Sequence, residues 1–221
     1  MDYSRPPANP GDLPLPHYEV HEEDQSDELV GALRAINSEF GIPLGSSVVY
    51  PGSATDTNVA HVYGKDNVEH VDPAAGACEA LLAHGYRATA ERIEDHIPEK
   101  PYDLLVALNS YGRLDQAALE RLIRPGGHAI VNNHTEWAHD LSAMGELLEL
   151  IGAIVPNYAR GQLHTGSDIP VNVAGIEMKY YTYAPGAGLR RGTPEQHTFA
   201  EMAPKYPDGL FVFRRKEVKA S

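Results

Sequence analysis

The period of the apolar positions changes several times along the chain, and each change predicts an element. After Ser26, apolar residues recur at spacings of three and four (Leu29, Val30, Leu33, Ile36, then Phe40), which predicts an amphipathic helix. Ser26 is placed to cap it, Asp27 and Glu28 sit in its first turn, and Gly41 and Pro43 stop it. Short apolar runs then alternate with helical patterns. Ser47–Tyr50 predicts a strand, Asp56–Val62 the start of a helix, and Val68–Val71 a second strand. Pro73–His84 reads as a helix with Gly85 at its C-terminal end, and Tyr86–Ala90 as a short third strand. Tyr102–Leu108 is apolar on both faces, the pattern of a buried central strand. Leu114–Leu122 predicts a helix ended by Pro125-Gly126-Gly127, His128–Val131 a strand, and Leu141–Ile151 a helix ended by Gly152.

Alternating strands and helices over this length predict a mostly parallel sheet with helices on both faces, an α/β doubly wound fold. The ends differ. Residues 1–26 carry a cluster of prolines and then a charge run, so they predict an extended N-terminal arm ahead of a single α/β domain at 27–221. Residues 155–209 read mainly as an irregular, variable segment. Glu177–Tyr183 and Leu210–Arg214 look like strands, and an antiparallel C-terminal strand pair closing the sheet fits this ending.

Composition narrows the function classes. The formal net charge is −13, which disfavours bare nucleic acid as a partner, although Arg190, Arg191, Arg214, Arg215 and Lys216 are gathered late in the chain. No apolar run is long enough for a transmembrane helix and the N-terminus has no secretion-signal pattern, so a cytoplasmic protein is expected. The single cysteine, Cys78, allows neither an internal disulfide nor a cysteine-based zinc site. The histidines show no His-x-x-x-His pairing of the metalloprotease kind, so no metal site is expected. There is neither a Gly-x-Ser-x-Gly elbow nor a Walker loop.

In open α/β sheets ligands bind beyond the C-terminal ends of the strands, at the switch in strand order. The first strand runs into Tyr50-Pro51-Gly52-Ser53-Ala54-Thr55-Asp56, a small-residue turn before a helix; it is either a nucleotide cradle or an ordinary structural turn. The second strand ends at Asp72, placed to accept hydrogen bonds from ribose hydroxyls or else to cap the helix behind Pro73. Asn109-Ser110-Tyr111 follows the central strand and Asn132-Asn133-His134-Thr135-Glu136-Trp137 the next; both are polar clusters on the same predicted rim. His134 or Glu136 is a candidate general base there.

Four segments together resemble the class I S-adenosylmethionine (SAM) methyltransferases, a Rossmann-like family. Val48-Val49-Tyr50-Pro51-Gly52-Ser53-Ala54 stands where that family has an acid and a Gly-x-Gly turn, and Glu69-His70-Val71-Asp72 at its ribose-binding strand end. Tyr102-Asp103 resembles the start of its fourth strand, and Leu122-Ile123-Arg124-Pro125-Gly126-Gly127 its Leu-x-Pro-Gly-Gly turn, the most specific of the four. Tyr50 replaces the acid, Ala54 the second glycine, and Thr89-Ala90-Glu91 lacks the usual Asp, with Glu91 a near substitute.

The resemblance implies SAM as cofactor. It implies Tyr50, Gly52, Ser53 and Ala54 around its methionine part, Asp72 at the ribose, Glu91 at the adenine edge and Asn109 at the reacting end. Asn109, Tyr111 and His134 are the candidate catalytic residues of a SAM-dependent methyltransferase whose methyl acceptor, small or macromolecular, the sequence does not name. Two other readings stand beside it. One is a methyltransferase-like protein without catalysis, serving as a binding or scaffolding module. The other is an NAD(P)-dependent enzyme, against which the missing Gly-x-Gly-x-x-Gly counts. An open cavity beside Gly52 and Asp72 favours the enzyme; a cavity filled by Tyr50 or by the arm favours the scaffold.

Overall fold

The computed structural model describes residues 18–22, 26–108, 114–132, 146–156, 172–173, 176–177, 179–184, 188–191 and 210–217. Helix α1 (Asp27–Phe40) starts as expected, with the Ser26 hydroxyl accepting from Leu29 N, and ends at Gly41, whose N–H donates to Asn37 O. Strand β1 (Val48–Pro51), helix α2 (Asn58–Tyr63), strand β2 (Val68–Val71), helix α3 (Ala75–Ala83) and strand β3 (Arg87–Thr89) follow. Strand β4 (Tyr102–Ala107), helix α4 (Gln116–Leu122) and strand β5 (Ile123–Asn132) complete the alternating part. Each lies on its expected segment, within a few residues.

Beyond this point the order differs from the expectation. Leu148–Pro156 is a strand, β6, where a helix over Leu141–Ile151 was predicted. Residues 148–155 read Leu-Glu-Leu-Ile-Gly-Ala-Ile-Val, so apolar positions fit helical spacing and a doubly buried strand equally well. Pairing with β11 (Leu210–Arg215) decides it. The 155–209 segment is also more regular than expected: β7 (Asn172–Val173), β8 (Ile176–Glu177), β9 (Lys179–Ala184) and β10 (Gly188–Arg191) lie within it.

The large sheet has nine strands in the order β10-β9-β6-β11-β5-β4-β1-β2-β3. Strands β1 to β5 are mutually parallel. β11 inserts between β5 and β6 and runs antiparallel to both. The expected C-terminal antiparallel pair therefore exists with a different partner. Leu210–Arg215 pairs with β6, and β9 lies parallel on the far edge of β6.

Successive residues of the central strands point to opposite faces, and both faces are buried. Val48, Tyr50, Leu104, Val106, Leu210 and Val212 pack in one cluster with Leu33 and Ile36 of α1 and Val59 of α2. Val49, Leu105, Ala107, Phe211 and Phe213 pack in the other with Leu119 and Leu122 of α4. Helices thus cover both faces, which is why these strands read as unbroken apolar runs. The chain moves outward from β1 to β3 and returns to β4 on the other side of β1, so the topological switch lies at β1.

Candidate functional site

The switch point places the β1–α2 turn at the C-terminal edge of the sheet. Gly52 has φ 60° and its N–H donates to Val71 O, which ties the turn to β2. Ala54 also takes a left-handed conformation, with φ 47°, where L side chains are disfavoured. Asp72 holds it there. One carboxylate oxygen accepts Ala54 N–H and the other accepts Ala74 N–H just before α3, both at 2.8 Å. Asp72 is buried, and the two roles considered for it are not exclusive. It ties the start of α3 to the turn, and each oxygen keeps a further lone pair.

Two clefts flank this turn. One, of about 320 Å³, is lined by Pro51 and Gly52 of the turn, Val71 and Pro73 at the end of β2, and Arg92, Ile93 and Glu94 beyond β3. Its walls are largely apolar, with Arg92 and Glu94 as its charged groups. The other, of about 340 Å³, runs between the Ser53–Asn58 segment and arm residues Glu19 and His21. Glu22 anchors the arm, accepting from Lys65 Nζ at 2.6 Å and from the Tyr86 hydroxyl at 2.9 Å.

The residues singled out from the sequence fall in different places. Gly52 lines the first cleft, and Ser53 and Ala54 line the second. Tyr50 lines neither. Its ring is buried in the core, and its hydroxyl donates to Asp56 Oδ2 at 2.6 Å. Burial, reinforced by the Asp56 carboxylate, pushes that phenol well above its usual range, so it remains a donor. Asp56 in turn accepts from the backbone and side-chain nitrogens of Asn58. Glu91 is turned away from Gly52: it meets His96 Nδ1 at 2.6 Å and lines a separate cleft with Glu69, Arg87 and Tyr102. The acid beside Gly52 is Glu94. Asn109, Tyr111 and His134 lie outside the described residues.

Sequence reasoning missed Arg92, Ile93 and Glu94. The only local signal is Ile93, an isolated apolar residue in a polar stretch, which the fold buries. It also missed His70. This ring is fully buried between Tyr50 and Tyr86, and its Nδ1 lies 2.9 Å from the Ser53 hydroxyl. Burial, only partly opposed by Asp56 and Asp72, lowers its pKa to about 4, so it is neutral and orients Ser53 without adding charge. Among the described residues no group of three or more His, Cys, Asp or Glu side chains could hold a metal ion. Nor is any helix among them long and apolar enough to cross a membrane.

With the turn at the switch point and β11 running antiparallel between β5 and β6, the architecture is decided. The chain has a Rossmann-like, doubly wound α/β fold, mostly parallel, with one antiparallel strand between β5 and β6. No known family profile matches it, and neither does any curated protein. Solved structures do. A SAM-dependent methyltransferase from Thiobacillus denitrificans, in complex with S-adenosyl-L-homocysteine, is 14% identical with a TM-score of 0.38, over 49% of this chain and 48% of that one. The chain thus spans about half the length of that protein. A SAM-dependent methyltransferase from Geobacter sulfurreducens, also with S-adenosyl-L-homocysteine, is 12% identical with a TM-score of 0.42, over 58% and 66%. A SAM-dependent methyltransferase from Thermotoga maritima, described as a possible histamine N-methyltransferase, is 11% identical with a TM-score of 0.48, over 86% and 91%. The fold assignment rests on the strand order of the chain itself.

Proposed function

We propose that this methyltransferase-like chain binds SAM at the Gly52 turn and transfers its methyl group, to an acceptor that the described residues do not specify. The observation that carries the reading is the open cleft beside Gly52, at the topological switch point. Pro51, Val71, Pro73 and Ile93 offer apolar surfaces of the kind that sandwich a purine ring, and Glu94 is an acceptor for an exocyclic amine. Asp72 lines neither cleft but sits between Val71 and Pro73 of the first, and in this reading its spare lone pairs serve ribose hydroxyls. The methionine part then lies over Ser53–Asn58, toward Glu19 and His21. SAM supplies an activated methyl group. The task of the protein in such a transfer is mainly alignment of the acceptor in line with that methyl, with a base only where the acceptor must lose a proton.

The cleft also weighs against the scaffold reading. Tyr50 is packed into the core and does not fill it, and arm residues Glu19 and His21 border the second cleft instead. Fold alone does not imply activity, so the test is binding. Calorimetric titration of the full chain with SAM and S-adenosylhomocysteine is expected to give micromolar affinity. Glu94→Gln is expected to weaken it by about tenfold, the worth of one hydrogen bond to a charged acceptor. Asp72→Ala is expected to abolish it. No binding of either ligand to the folded chain, at low and at high salt, would sink the proposal and leave the scaffold.

A further inference from the structure

Glu91 does not reach the Gly52 cleft, but its partner closes the loop that walls it. His96 is buried, and its ring bridges Glu91 Oε1, 2.6 Å from Nδ1, and the Tyr102 hydroxyl, 2.9 Å from Nε2. Its backbone N–H donates to the carbonyls of Arg92 and Ile93. The Arg92–Glu94 wall is therefore a small ring of chain, closed at both ends by one histidine. Arg121 of α4 braces it from outside through the carbonyls of Glu94 and His96. Behind Tyr102 the network continues into Glu69 on β2, which accepts from the Tyr102 hydroxyl at 3.0 Å, Arg87 at 2.7 Å and Thr89 at 2.9 Å.

Counting donors assigns the protons. Carboxylates Glu91 and Glu69 only accept, and the tyrosine has one proton to give. With that proton on Glu69, the Tyr102 oxygen must accept from His96 Nε2, and Glu91 must accept from Nδ1. A singly protonated ring leaves two acceptors facing each other at one of these contacts. The charged groups around the ring agree: Glu91 on its own loop, Glu69 on β2 behind Tyr102, and Arg87 on β3 beyond Glu69, while the Arg121 guanidinium faces backbone carbonyls and not the ring.

We propose that His96, protonated on both nitrogens, is a positioning residue that latches the Arg92–Glu94 wall, so that ligand binding beside Gly52 depends on a proton the ligand never touches. This rests on the cofactor reading only for the identity of the ligand. With only one proton on the ring, either the Glu91 or the Tyr102 contact lacks a donor, the wall loosens, and affinity falls.

The test follows three readouts on the full chain between about pH 6 and pH 8.5, a window in which histidine charge changes. These are the ring nitrogen resonances of His96, amide exchange over residues 92–96, and affinity for S-adenosylhomocysteine. Glu91→Gln is the companion variant. It sits at a partly exposed position and removes the counter-charge without emptying the core. In the wild type the ring is expected to show the doubly protonated signature at the acid end. Exchange over 92–96 should rise as that signature is lost, and affinity should fall about tenfold, the scale of one charge-assisted hydrogen bond. In Glu91→Gln the affinity should vary by less than about twofold across the window. A ring that is singly protonated at every pH overturns the proposal. So does an affinity that follows pH equally in Glu91→Gln, which would place the effect at another histidine such as His21. If S-adenosylhomocysteine fails to bind at any pH, the cofactor reading falls, and the ring signature with the exchange data still decides the latch.

Discussion

Opposite ends of the same parallel strands differ in what fixes their residues. At the N-terminal end of β4 and β5, backbone geometry acts together with one carboxylate. Asp103 accepts from the Ser47 N–H at 2.8 Å, the Ser47 hydroxyl at 2.9 Å and Arg124 Nε at 2.5 Å. Between the pairs Tyr102–Ile123 and Leu104–His128, residues Arg124 to Gly127 bulge out of the ladder. A Cβ on Gly127 would lie 2.7 Å from the Ile123 side chain and 2.9 Å from the carbonyl oxygens of Arg124 and Asp103. At the C-terminal end of β1 and β2 the restraints come from side chains, with Asp72 holding Ala54 and Ala74, Tyr50 holding Asp56, and His70 meeting Ser53. A side-chain restraint can be relieved by rotation or replaced by another; a backbone collision cannot.

The sharpest way to break the comparison is at Gly127. Two of the three atoms that an added Cβ would meet are backbone oxygens, which cannot rotate away. Gly127→Ala is expected to cost about 3 kcal/mol in urea unfolding, in the range of severe overpacking. It should leave ligand affinity unchanged in the fraction that stays folded. A loss under about 0.5 kcal/mol would mean the bulge yields easily and that its sequence is not held by sterics.

The next effect belongs to the other end. Burial lowers His70 from 6.5 to about 4, so as pH falls the unfolded chain takes up this proton before the folded one does. The stability associated with the neutral ring is whole above about pH 6.5 and is lost as pH falls toward 4, up to about 3 kcal/mol in all. Urea midpoints measured at stepped pH should decline over that window in the wild type, and the decline should be largely absent in His70→Gln. The Ser53 turn is expected to loosen with it, which amide exchange at 53–56 would register.

These two ends also explain what was legible in the sequence. Buried apolar strands such as β1 and β4, and helices with a side-chain cap such as α1 and α4, announce themselves, so these were readable. β6 was not, because an apolar run of its length has no unique period and pairing with β9 and β11, distant in sequence, makes it a strand. At the candidate site, the turn at Gly52 was readable because its conformation calls for glycine, and the position of Asp72 because it follows β2 directly. Glu91 was read toward an adenine edge; spacing along a loop does not say which side a carboxylate faces, and in the fold it meets His96. Arg92, Ile93 and Glu94 enter the site only through the path of that loop across the sheet edge.

The smallest effect tests Ala54, where the two kinds of restraint meet. Its φ of 47° is a glycine's conformation, and the Asp72 bond to its N–H is what pins it. Ala54→Gly removes a steric cost of about 1 kcal/mol in the folded chain. It also gives the unfolded chain back conformational freedom worth about 0.4–1 kcal/mol. The two nearly cancel, so the stability change should stay under about 0.5 kcal/mol by urea unfolding. The coupling to Asp72 should not cancel. If alanine is tolerated because the carboxylate holds it, Asp72→Asn should cost more in the wild type than in the Ala54→Gly background, by about 0.5–1 kcal/mol in a double-mutant cycle. An additive cycle would mean that the turn keeps its shape without the Asp72 bond, leaving that carboxylate to hold only Ala74.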